Sequence, residues 1–512
     1  MTNNKNNIIN IAAALITFLV QMFISFWLSP YVVGKLGEEA YGFINLANNF
    51  VSYASLIAVA VNSMACRYIS VEYNSERKGE AKAYFTSVFI VNVVLFSVIF
   101  ILSLFFIGKI NHFINVSDGL VNQVKLTFLF CFINMGLSFV GTVYTAAAFA
   151  TNKMHYNSLI QIIANIVKSV LVFALFTILP AKIYYLGLAT LAAGFLIFCG
   201  NYVITKKLLP GFDVNIAYFD LHKIKILTKS GFWVLVSNIS NLLLNGLDLL
   251  LSNWFISSAI MGRLSLAKQI PFALSNALGS FSNIFSSALT KVLAIDGESR
   301  IIDEANGQLK ILTILFTVPY AGIIIYGLDF MKLWLRNTSY SQNQLYEIYI
   351  LMILVLLDII ISTYMYSVHS VFIAIDAVKV YSVVLFIASC ISICLTIFLL
   401  KITNLGMYAV AGTSTIILGF THGIIVPGSA AKLLKKPIWL FWKSEVKSWM
   451  VLIVICTVFK ALSIILDFSS WLSFFISIII AGILGYVISL FLVLNKLERK
   501  GCKKWIKNKF AK

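Results

Sequence analysis

Five polar side chains interrupt an apolar run at spacings of 3, 4, 3 and 4: Asn238, Asn241, Asn245, Asp248 and Ser252. At helical periodicity they share one face. Three of them are amides, which donate and accept hydrogen bonds at once and so suit sugar hydroxyls. An earlier apolar run carries a similar row: Asn45, Asn48, Ser52, Ser55 and Asn62. A third row, Ser265, Lys268, Ser275 and Ser282, repeats the second in register, with Phe272 where Ser52 stands. The matched rows follow matched openings, Gly42-Phe-Ile-Asn-Leu46-Ala47 and Gly262-Arg-Leu-Ser-Leu266-Ala267. Thr17, Gln21 and Ser25 form a thinner row near the N-terminus. Gln269, Asn276 and Asn283 flank the Lys268 face, and Lys168 continues a stripe begun by Gln161 and Asn165.

Amides with an occasional ammonium equip a site to hold a polar anion, not to break a bond. No loop supplies the cluster of histidines and carboxylates that an enzyme or a metal centre needs, so no catalytic residue, metal ligand or cofactor site is assigned. Cys390 and Cys394 share a helix face without a third ligand and read as packing. His369 and His422 sit on apolar faces and read as structural histidines, with proton relays as the alternative. Each polar row also has a structural alternative, because Asn and Ser join transmembrane helices by hydrogen bonding. Asp248 and Lys268 either touch cargo or pair with each other. Lys168 either binds phosphate or meets a buried partner such as Asp358. Pro271 and Pro319 predict kinks in their helices, whereas the first helix, read as 8–29, has no internal proline.

The elements that must position these rows are membrane helices. The chain has 512 residues, 60% of them hydrophobic and 12% charged, with a mean hydropathy of +0.92. A spanning helix needs ~20 mostly apolar residues, and about fourteen stretches qualify. Among them are helix two at 41–65, helix five at 158–179, helix seven at 230–256 and helix eight at 261–290. Of the 39 basic residues, 28 fall in the two tails and the even-numbered loops, which places both termini in the cytoplasm. The net charge of +19 is then a consequence of topology, and nucleic acid is not a partner. The first apolar run is too long for a signal-peptide core and is expected to stay in the mature chain.

The repeat continues past its opening. Leu186-Gly187 answers to Leu405-Gly406, and Lys206-Lys-Leu-Leu-Pro210 to Lys432-Leu-Leu-Lys-Lys-Pro437. Six helices per copy give both copies the same orientation, related by an axis along the membrane normal. The expected fold is therefore an all-α integral membrane protein. An N-terminal six-helix bundle (1–204) joins through a cytoplasmic linker (205–229) to a second bundle (230–427). Two appended helices (428–494) and a basic cytoplasmic tail (495–512) follow. Lys435-Lys-Pro-Ile-Trp439-Leu-Phe-Trp442-Lys443, and the tail with Trp505 and Phe510, read as interfacial anchors on anionic lipid. Lys460 reads as a snorkelling side chain.

The pattern Gly37-x-x-x-Tyr41-Gly42-x-x-x-Leu46-Ala47 resembles the start of the polysaccharide biosynthesis proteins, the Wzx-type flippases. Arg67-Tyr-Ile-Ser70, and Asp248 followed by Gly262-x-x-x-Leu266-Ala267, fit the same resemblance. Those proteins share a superfamily with the multidrug and toxin extruders and the lipid II flippase. The resemblance implies export of a lipid-linked oligosaccharide to the outer leaflet by alternating access. It also implies that helices one, two, seven and eight line the cavity, and that a polymerase and glycosyltransferases work beside the protein. On this basis the candidate substrate-binding residues are Gln21, Asn45, Asn48, Lys168, Asn238, Asn241, Asn245, Asp248 and Lys268. The other expectation is a drug exporter coupled to an ion gradient, which would want more cavity carboxylates than Asp248 and Asp358 supply.

The basic-residue count puts both Asn74 and Lys509 on the cytoplasmic side of a plasma membrane. Cysteines introduced at these positions are expected to resist an impermeant maleimide in intact cells and to react after permeabilisation. Labelling of either in intact cells would reverse the orientation.

Overall fold

A computed structural model describes residues 2–75, 77–296, 298–375 and 377–500, with side chains left aside at 2–8, 11, 15, 280–284, 286–288, 290–291 and 293–299. Ser282, Asn283 and the tail bearing Trp505 and Phe510 therefore lie outside the described residues. The chain divides into two compact units, Met1–Leu266 and Ala267–Lys512.

The first unit contains α1 (Thr2–Leu36), α2 (Glu38–Asn74), α3 (Lys78–Gly108), the single turn α4 (Ile110–Phe113), α5 (Val121–Thr142) and α6 (Thr145–Ala150). It continues through α7 (His155–Ile178), α8 (Tyr184–Leu208), α9 (Leu221–Asn245), α10 (Asp248–Phe255) and α11 (Ser258–Ala267), which reaches the boundary. Within it α5 and α7 pack on α8, α2 packs on α3 and α9, and α1 packs on α7. The second unit contains α12 (Gln269–Asp296), α13 (Glu298–Trp334), α14 (Gln342–Ala374), α15 (Val378–Ile402), α16 (Met407–Phe420), α17 (Val426–Leu433), α18 (Trp442–Leu462) and α19 (Trp471–Val493). There α13 packs on α14, α18 and α19, while α14 packs on α12 and α16.

Among the described residues, twelve helices are long and apolar enough to cross a membrane. Their outer faces carry residues such as Ile101, Phe105, Ile178, Ile464 and Ile479, each more than half exposed. An apolar exterior of that extent is stable only against lipid, so the chain is a multi-pass membrane protein. The expected fourteen is not confirmed among the described residues. The eighth apolar run parts at Lys268 into α11 and α12, and the thirteenth, now α18, carries Lys443, Glu445, Lys447 and Lys460. Three further details differ from expectation. The first helix runs on to Leu36 and so includes Pro30. Pro271 falls in the first turn of α12, where its missing N–H has no helical partner to lose. The two appended helices are tied into their unit: Tyr326 donates to the Phe459 carbonyl at 2.9 Å, and Thr313 bonds Ser448 at 2.7 Å. Lys310 meets Glu498 at 2.6 Å and holds its carboxyl below the usual carboxylate range.

The motif residues now have structural reasons. Gly37 turns the chain from α1 into α2 at φ +85°, a conformation that penalises any Cβ. Leu46, Ala47, Leu266 and Ala267 are fully buried. The two opening glycines touch each other: a Cβ on Gly42 would lie 3.0 Å from Gly262 Cα. Close approach of this kind lets backbones pack where lipid supplies no hydrophobic drive between helices.

Gly231 marks the closest approach of α9 to α2, where a Cβ would sit 2.0 Å from the Ala60 carbonyl oxygen. Gly231→Ala is expected to cost about 1–3 kcal/mol by overpacking and to lower the thermal midpoint of the purified protein. Gly79→Ala, with nothing within 4 Å, is expected to leave the midpoint unchanged. Equal midpoints for both variants would contradict the packing of α2 on α9.

Candidate functional site

The amide rows lie on α2 and α9, which pack side by side in the first unit. Their contact is organised by a break. The expected helix seven stops at Asn245 and restarts at Asp248, leaving Gly246 and Leu247 between α9 and α10. The Gly246 N–H still bonds the Leu242 carbonyl at 2.8 Å. Its own carbonyl turns to α2, where it accepts from Asn49 Nδ2 at 2.9 Å and from the Tyr53 hydroxyl. A carbonyl freed from a membrane helix must find such donors, because lipid offers none. Asp248 opens α10, and its Oδ1 accepts the Leu249 N–H at 2.9 Å, a favourable place for a carboxylate at a helix N-terminus.

The break redistributes the five-residue row. Asn238 and Asn241 are exposed on α9, Asn245 and Asp248 are half-buried, and Ser252 on α10 is fully buried. The row is therefore not one continuous wet face. The unwound pair of residues changes the helical phase, and Ser252 turns into the unit with its neighbour Asn253. On α2, Asn48 and Ser52 are exposed and Asn45 is half-buried. Asn62 belongs to the interior instead: its Oδ1 accepts from the buried Asn92 at 2.9 Å, and Asn92 also donates to the Phe139 carbonyl at 2.9 Å. Gln21 is exposed on α1, whereas Thr17 is buried and donates to the Ala13 carbonyl at 2.8 Å.

Lys268, in the second unit, is 5% exposed and stands at the junction of α11 and α12. Its Nζ lies 4.6 Å from the centroid of the Phe272 ring. Phe272 is the residue that replaces the serine of the first copy, so the one mismatch between the rows supplies a ring face for the cation. Lys168 is half-buried on α7 and faces Cys131 of α5. Asp358 is buried within α14. Lys460 is exposed in the last turn of α18, and Trp439 is exposed with its ring 4.6 Å from that of Trp442.

The sequence argument passed over Asn49 and Tyr53, the residues that hold the break. Their i, i+4 spacing on α2 was the available signal. It also passed over a latch at one end of the first unit. Glu39 accepts from Ser117 and Ser258, and Arg263 pairs with Glu38 at 3.1 Å. Asn115 and Asn253 exchange three hydrogen bonds of 2.8 to 2.9 Å. Asn115 and Ser117, which form a glycosylation-like triplet in the sequence, are thus occupied in fixing α10 and α11.

Comparison with known proteins was consistent with this architecture. Residues 5–290 match the polysaccharide biosynthesis protein family. The membrane protein EpsK of Bacillus subtilis (strain 168) is 26% identical over 498 residues, covering 96% of each chain. Among solved structures, a multidrug resistance MATE family transporter of the MOP superfamily superposes with a TM-score of 0.68 at 12% identity, over 81% of this chain and 94% of that one. The lipid II flippase MurJ superposes with a TM-score of 0.67 at 19% identity, over 94% of this chain and 98% of that one. The structural likenesses show a shared fold.

The Gly246 carbonyl is expected to depend on both of its donors. Asn49→Ala with Tyr53→Phe leaves it unsatisfied, at a cost of about 1–3 kcal/mol. Amide hydrogen exchange over residues 245–250 should quicken in the double variant. An unchanged exchange rate there would show that the break is held by other contacts.

Proposed function

Because the chain belongs to the polysaccharide biosynthesis protein family, we propose that it flips a polyprenyl-pyrophosphate-linked oligosaccharide from the cytoplasmic to the outer leaflet. The cargo would serve surface polysaccharide such as O-antigen or capsule. Both termini would face the cytoplasm of the plasma membrane, and the two six-helix repeats, 8–204 and 230–427, would rock against the cargo in alternation.

The observation that carries this reading is the exposure of Asn48, Asn238 and Asn241 on otherwise apolar helices. Amides left without burial in a membrane protein are costly against lipid and favourable against a hydrated sugar. The headgroup's phosphates need compensation as well, since an isolated anion costs tens of kcal/mol in hydrocarbon in the idealised limit. Lys168 lies within the α7 span and Lys268 at the junction of α11 and α12, and each is proposed to offer that compensation. Gln21, Asn45, Asn245 and Asp248 would complete the polar lining. Trp439 and the lysines beside it would anchor the cytoplasmic face on anionic lipid, with glycosyltransferases and a polymerase supplying and consuming the cargo.

Lys268 gives the sharpest test. A charged hydrogen bond to phosphate is worth about 1.5–3 kcal/mol, or roughly 10- to 100-fold. Lys268→Ala is expected to lower delivery of the lipid-linked oligosaccharide to the outer leaflet by that factor at equal protein level, while Lys268→Arg retains most of it. Delivery can be read by oxidation of outer-leaflet sugars with impermeant periodate. Full delivery by Lys268→Ala removes the residue from the mechanism. Export of an amphipathic cation, with no movement of the oligosaccharide, would favour a drug exporter instead.

A further inference from the structure

Three rings meet where α14, α15 and the α16–α17 rod come together in the second unit. His369 of α14 has its ring centroid 4.3 Å from that of Tyr381 on α15. Tyr381 also lies nearly parallel to His422, 6.4 Å away at an interplanar angle of 6°. His422 is only 5% exposed, and neither of its ring nitrogens has a hydrogen-bond partner. A neutral imidazole carries one donor and one acceptor, so leaving both unmade inside a protein is expensive. His369 and Tyr381 are half-buried.

The backbone at this point is also irregular. Thr421–Ile425 form a π turn between α16 and α17, a feature that concentrates at functional sites. A π turn holds one residue more than an α turn. Re-registering it as α-helix would rotate α17 relative to α16 by about 100° and repack the turn that carries His422. Around the stack lies an apolar cluster that includes Met365, Val368, Phe372, Val426 and Ala430.

We propose that His369, Tyr381 and His422 form a proton-binding site whose occupancy sets the register of the α16–α17 turn. The ligand is a proton taken from water, and it bonds to an imidazole nitrogen that now has no partner. No covalent bond between heavy atoms changes. The groups facing His422 are His369 from α14 and Tyr381 from α15, and Tyr366 of α14 lies against His369 and Tyr381. Among the described residues no carboxylate, lysine or arginine bears on either imidazole; Lys379 and Lys432 are exposed near the ends of α15 and α17. A proton bound here would therefore add an uncompensated charge to an apolar cluster, which that packing cannot keep. As pH falls the cluster loosens and the spare residue of the π turn is released. As pH rises the stacked arrangement returns. This proposal goes beyond the flippase reading and does not depend on the cargo.

The chain has five histidines, few enough to resolve one by one. Full-length protein labelled with 15N-histidine, reconstituted in lipid nanodiscs, is titrated from pH 8.5 down to about pH 3, because burial without a counter-charge favours the neutral imidazole. The variants His369→Gln and His422→Phe assign the two buried rings, and the exposed His222 is the internal control. The expected result is that both buried imidazoles change their nitrogen shifts with pH. The His369 curve moves by at least about half a pH unit in His422→Phe, as the interaction of neighbouring sites requires. Backbone signals of residues 418–426 change with the same midpoint as His422. Neutral-imidazole shifts across the whole range would overturn the site. So would titration that leaves residues 418–426 unchanged, because the turn would then be indifferent to the proton. Should His422→Phe not fold, His369→Gln reads the same coupling from the other ring.

Discussion

One constraint organises the molecule: a carbonyl freed inside the bilayer must be given a donor by the protein. Gly246 creates such a carbonyl, and Asn49 and Tyr53 of α2 answer it. The consequence reaches further than one hydrogen bond. It fixes α9 against α2, it lets α10 start afresh at Asp248, and it aims Ser252 and Asn253 inward. Asn253 then locks to Asn115, and the chain beyond it is drawn to α2 by the pairing of Arg263 with Glu38. The exposed amides on α2 and α9 are held in place by this set of inward bonds.

Small residues decide whether those bonds can form. Asn49 reaches Gly246 only because α9 approaches α2 closely at Gly231, against the Ala60 carbonyl. Gly42 and Gly262 do the same where α2 meets α11. The repeated opening of the two copies thus has a direct structural use, since its two glycines pack on each other within one unit. A larger residue at either position would separate the backbones before any polar pair could close.

Much of this was legible in the sequence. Membrane class, helical fold and the polar rows followed from periodicity and composition, because lipid imposes long apolar helices and makes each polar interruption conspicuous; the family rested on the resemblance of the opening motifs. The breaks were not legible. Gly246 lies in an apolar run with no proline to mark it, and its cause is a pair of residues on another helix almost two hundred positions earlier. The row 238–252 therefore read as one face, when its last member is buried. Asn62 looked like the equal of Asn48, yet its partner Asn92 could be named only once α2 and α3 were placed together. The division at Lys268 was hidden for a similar reason, since the run on both sides of it is apolar enough to pass for one helix. His369 and His422 lie 53 positions apart, and only Tyr381 brings them into one stack.

The two units treat their polar groups differently, and the difference bears on function. Along α13 and α14 the hydroxyls are paired across the contact, Tyr320 with Thr363 and Thr317 with Tyr364. Such reciprocal pairs leave nothing over for a ligand and fix the two helices in one register. On α2 and α9 the side chains of Asn48, Asn238 and Asn241 remain outside the packing instead. Stability against lipid alone favours apolar residues there, such as Ile101 and Phe105 on α3 and Ile479 and Ile483 on α19. Their retention on helices whose inward contacts are already complete makes sense when something hydrated must lie against them, and a sugar headgroup passing through a membrane is a ligand of that kind.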